Sequence, residues 1–180
     1  MRNTNLKTLM FMALCCDLGL LAKKLISPAA NVITDSLHIP GGISTSFSLM
    51  FLVIAASLVS FPGCAAVMGT VQSVLALCLG MTGSMGILAP IGYILPGVMI
   101  DLIMSVCQRL SGSHESGILL SSAAASLTAS LTANLIVFRL RGIVLLLYLL
   151  ISATSGSLCG LLAQRVTARL KCIFLQEGFY

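Results

Sequence analysis

Apolar residues run in long, nearly charge-free blocks, separated by short links rich in glycine, proline and small polar residues. A helix needs about 20 apolar residues to cross a bilayer. Six blocks meet or approach that length, at about 6–26, 43–61, 63–81, 86–108, 117–138 and 142–164. The pattern predicts an all-α membrane protein, a bundle of six transmembrane helices forming one integral membrane domain over residues 1–180. The links are too short for a separate soluble domain. The one long link, 27–42 (SPAANVITDSLHIPGG), reads as a lid or binding loop, because plain connectors between neighbouring helices are shorter.

Composition strengthens the membrane reading. Only 8% of the residues are charged and 58% are hydrophobic, with a mean hydropathy of +1.08. A soluble domain carries about a quarter charged residues. The net charge of +5 forms no nucleic-acid stripe; the cations flank the apolar blocks, as topology signals do. With the N-terminus inside, the inner cations are Arg2, Lys7, Arg109, Arg165, Arg169 and Lys171, six against the four outer ones Lys23, Lys24, Arg139 and Arg141. This favours an N-in, C-in arrangement in the cell membrane. Asp17 interrupts the first block, which continues to about Ile26, so the block reads as a retained helix rather than a leader. No CxxC pair occurs among the seven cysteines, and Cys15, Cys16, Cys78, Cys107 and Cys159 fall inside apolar blocks as small hydrophobes.

Candidate chemistry is sparse. Acids inside spans are costly and draw attention to Asp17 and Asp101, as ligand, ion or partner contacts or as structural hydrogen bonds to serines or threonines of adjacent helices. Ala125, Ala129 and Ala133 repeat every four residues beside Ser122, Ser126, Ser130 and Asn134, giving the fifth helix two small or polar faces suited to close packing. Gly156 and Gly160 form a GxxxG in the sixth. Gln72 is a lone polar group in the third. HExxH, GxSxG and Walker motifs are absent from the sequence, so an enzyme is not expected, nor a cofactor or metal.

The segment 80–97, GMTGSMGILAPIGYILPG, holds five glycines and two prolines between two apolar blocks. Irregular backbone at membrane depth is tolerated where protein buries it or where it lines a cavity. The expectation is a small-molecule pocket at the outer end. Its roof would be 27–42, with Asn31 and Asp35, and 82–86, with Ser84. Its wall would be helices four to six, with Tyr93, Asn134 and Tyr148, and Gln72 is a further candidate contact.

The phrase GSMGILAPIGYILPGVMIDLI (83–103), and more loosely LISPAANV (25–32), resembles the S components of energy-coupling factor (ECF) transporters, most closely the subgroup taking up thiamine or its pyrimidine precursor. The resemblance implies a bacterial membrane subunit that binds a vitamin-like solute from outside. It further implies docking on a membrane coupling subunit and ATPase subunits, with no hydrolysis by the chain itself. The family's AxxxA docking motif has its nearest match at Cys15-xxx-Gly19, with Ala22 beside it. This chain has no tryptophan, so ring stacking on a solute would fall to Tyr93, Tyr148 or Phe47. Two other classes fit the pattern: a small oligomeric channel or permease, and a structural membrane protein without a ligand.

Overall fold

The computed structural model describes residues 6–37, 43–59, 61, 63–80, 83–110, 114–139 and 141–176. Among these the chain is all-helical, without strands. The α-helices are α1 (Leu6–Leu37), α2 (Ile43–Leu58), α3 (Cys64–Cys78), α4 (Ala89–Leu110), α5 (His114–Ala133) and α6 (Ile143–Gln176). A 3-10 segment, Gly83–Leu88, leads into α4, and a π-helical segment, Asn134–Phe138, prolongs α5. Short links make successive helices run antiparallel. The bundle thus has a lower end, holding the α2–α3 and α4–α5 links, and an upper end, holding the links of α1 to α2, α3 to α4 and α5 to α6.

Leucine and valine face outward and small polar residues face inward. Ile91, Leu95, Val98, Leu102 and Val106 form an exposed stripe on α4, and Val67, Val71 and Val74 form one on α3. Serines 121, 122, 126, 130 and 152 are buried. A water-soluble bundle shows the opposite arrangement. In lipid, helices gain little by hiding leucine from one another, so small and hydroxylated residues take the interfaces. Helical segments Gly86–Arg109, Glu115–Val137 and Ile143–Cys172 are long and apolar enough to cross a membrane, and less than half of each is covered by the rest of the chain. The chain is a membrane protein. Thr45–Leu58 and Cys64–Cys78 are shorter apolar helices. The first predicted span is not among the long apolar ones, because Asp17, Lys23 and Lys24 interrupt its apolar run.

α2 is the central element, touching every other α-helix. Leu52, Val53, Ile54 and Ala55 are consecutive and all buried, so no side of this helix turn faces outward. Two polar pairs tie α2 to α6: the Ser46 and Ser155 hydroxyls lie 3.0 Å apart, and those of Ser57 and Thr167 3.1 Å apart.

The structure corrects two predicted boundaries. The link expected at 27–42 is helical as far as Leu37, with Pro28 inside α1. Proline removes one backbone donor, but the residues after it, beginning Ala29-Ala30, resume the helix. A helix therefore occupies most of the expected lid, and residues 38–42 lie outside the described residues. The sixth predicted span does not end near residue 164: α6 continues through Arg165, Arg169 and Lys171 to Gln176. No glycine or proline breaks it there, and Thr167 and Leu170 pack into the core.

Candidate functional site

The upper end holds two departures from α-helix. The 3-10 segment turns sharply at Gly86, whose φ of 52° and ψ of −127° are open only to glycine. Pro90 then falls in the first turn of α4, where proline is tolerated, and Pro96 lies further inside. The π-helical segment after α5 ends at Arg139, whose left-handed backbone lets its N–H reach the Asn134 carbonyl at 2.7 Å. The two irregular segments touch each other. Asn134 opens the π segment and is buried, and Tyr148 on α6 is buried as well. Ser130 lies within hydrogen-bonding reach of the Tyr148 hydroxyl.

Tyr93 belongs to a different group. It packs with Leu20, Ala76 and Ala89. Its hydroxyl accepts a hydrogen bond from Lys23 Nζ at 2.8 Å, and the ammonium lies 4.5 Å from the ring centroid. The expected wall of Tyr93, Asn134 and Tyr148 thus divides into an α1–α3–α4 group and an α5–α6 group. Asn31 and Asp35 lie on the helical extension of α1 and Ser84 lies in the 3-10 segment; for these three, the described structure is the backbone.

Three expectations take another form. Gln72 is buried and donates to the Cys16 carbonyl at 3.3 Å, so its amide joins α3 to α1. The small face of α1 points inward. Cys15 is buried, and a Cβ on Gly19 would lie 2.7 Å from the Gln72 amide nitrogen and 3.3 Å from the Ser48 carbonyl oxygen. Ala22, one turn further, is half-buried. Close packing within the bundle uses Cys15 and Gly19. Asp101 is a helix cap: Oδ1 accepts the Ala65 N–H at 3.1 Å and Oδ2 the Ala66 N–H at 2.8 Å. These donors are in the first turn of α3, whose own cap position, Gly63, has no side chain to offer. The approach is close because a Cβ on Gly97, one turn before Asp101, would come within 2.6 Å of the Ala65 carbonyl oxygen. Asp17 remains exposed on the outside of α1.

A groove of about 460 Å³ lies beside this cap, at the lower end, lined by Gly63, Ala66, Val98, Asp101, Leu102, Ser105, Val106 and Arg109. Sequence reasoning placed no cavity there. Its signal was the four-residue spacing of Asp101, Ser105 and Arg109, which puts one polar row on α4. Lys23 was also missed as a site residue, because a cation near the end of an apolar block reads as a topology signal.

Comparison with protein families, with curated protein sequences and with solved structures returns no match.

Proposed function

We propose that this protein is the solute-binding membrane subunit of an ECF-type importer. In this reading it captures a vitamin or vitamin precursor from outside the cell and passes it to a membrane coupling subunit driven by ATPase subunits. It spans the cell membrane six times with both termini inside, and it hydrolyses nothing itself. The observation that carries the reading is the contact between the Gly83–Leu88 and Asn134–Phe138 segments at the upper end. Two backbone irregularities meeting at one end of an otherwise regular bundle call for a reason, and a ligand cavity supplies one. In this reading Asn134 and Tyr148 contribute an amide and a phenol to the cavity, and Asn31, Asp35 and Ser84 are further contacts. The resemblance over 83–103 supports the same reading.

The test is affinity purification of the full chain in mild detergent from membranes of its own host. A membrane subunit and Walker-motif ATPase subunits should elute with it in fixed stoichiometry. A homogeneous preparation of this chain alone, from cells grown without the vitamin in question, would contradict the proposal.

A further inference from the structure

We propose that Lys23 and Tyr93 form an oxyanion site at the upper end of the bundle, receiving the phosphate or carboxylate group of a bound molecule. Lys23 is half-buried between α1 and α4, and Tyr93 is 8% exposed. An ammonium has three N–H donors and no acceptor, and a phenol has one of each. Because the Tyr93 oxygen accepts from Lys23 at 2.8 Å, the phenol's remaining strong capacity is its O–H. The pair therefore presents donors only, together with one positive charge. Its floor is apolar, made by Leu20, Ala76 and Ala89.

Among the described residues no carboxylate faces this charge. Asp17 lies six residues back on α1, about 9 Å along the axis and on a different face. Asp35 lies twelve residues on, about 18 Å further up the same helix. Asp101 is held by the first turn of α3, and Glu115 accepts from Gln164 at 3.0 Å, both at the lower end. Tyr93 takes one of the ammonium's donors but offsets none of its charge, and a half-buried charge in an apolar bundle is costly without an opposite one; the complement here is an anion. A permanently cationic solute such as thiamine has the wrong sign for this position.

The anion can come from a captured solute or from a lipid headgroup, and the test separates the two. The full chain in dodecyl maltoside is melted while its helicity is followed by circular dichroism. The probes are sodium phosphate and sodium acetate, each against sodium chloride at equal ionic strength, and dioleoyl phosphatidylglycerol against dioleoyl phosphatidylcholine. At least one oxyanion probe should raise the midpoint by about 4 °C or more, the size expected of saturating a specific site. Lys23→Met should abolish the shift, Lys23→Arg should keep most of it, and Tyr93→Phe should reduce it. A shift with phosphate or acetate assigns the site to a solute; a shift with phosphatidylglycerol alone assigns it to lipid. No shift with any oxyanion probe, or an equal shift in Lys23→Met, would overturn the proposal. If Lys23→Met does not fold, an undiminished response in Tyr93→Phe overturns it instead. The site does not rest on the transport reading, so a lipid result would leave that reading to the copurification experiment.

Discussion

Asp101 illustrates how a charge is accommodated inside an apolar helix. Its two oxygens take two of the N–H groups that open α3, where the helix dipole also favours a negative charge. Asp101→Ala should lower stability by about 1–3 kcal/mol, since two backbone donors lose a charged acceptor. Asp101→Asn should cost less, because the amide oxygen still accepts one of the bonds. Unfolding in sodium dodecyl sulfate, followed by circular dichroism, measures both; an alanine variant as stable as wild type would remove the cap from the account. Gly86 is the second sensitive residue. Its backbone is strained for any side chain, so Gly86→Ala should cost about 1–3 kcal/mol and lower the thermal midpoint. Gly86 falls in the glycine-rich stretch that the sequence marks as irregular backbone, and Asp101 stands out as an acid in a span, but its capping role was not legible. The cap joins positions 35 and 36 apart in the chain, and no local pattern records such a pairing.

At the scale of elements, the α5–α6 seam shows small residues replacing leucine as the packing device. The Ser122 hydroxyl donates to the Gly156 carbonyl at 2.8 Å, and Ser126 and Ser152 each donate to the other's carbonyl at 2.9 Å. A Cβ on Gly156 would overlap Ser126. Hydrogen bonds between helices in lipid average only about 0.6 kcal/mol, whereas overpacking costs about 1–3 kcal/mol. Gly156→Ala should therefore destabilise more than Ser126→Ala. Combining Gly156→Ala with Ser126→Gly should recover part of the loss, because the two substitutions share one space. A double-mutant cycle in the same detergent assay checks this, and strict additivity would contradict the seam. This seam was legible in the sequence: the serine and alanine rows repeat every four residues and GxxxG faces them. The ends of α1 and α6 were not. Hydropathy falls after residues 26 and 164, yet both helices continue, and tertiary contacts at Thr167 and Leu170 carry α6 onward. Pro28 reads locally as punctuation, yet it costs α1 one hydrogen bond without ending it.

For the whole molecule, the outward leucine and inward serine place the bundle in lipid, and the antiparallel order of its helices sets up a test of orientation. Cys78 is exposed at the upper end of α3 and Cys172 is exposed near the lower end of α6, while Cys15, Cys16, Cys64 and Cys159 are buried. The N-in, C-in reading predicts that a membrane-impermeant maleimide labels Cys78 on intact cells. Cys172 should react only once the cytoplasmic face is opened. Cys78→Ser and Cys172→Ser should each remove one signal, and labelling of Cys172 from outside would reverse the topology. The most direct test of solute capture is native mass spectrometry of the full chain purified in mild detergent from its own host. The account predicts one vitamin-sized molecule bound per chain, and its loss in Asn134→Ala. A chain that carries no small molecule, or one retained equally by the Asn134 variant, would contradict the site at the junction of the two irregular segments.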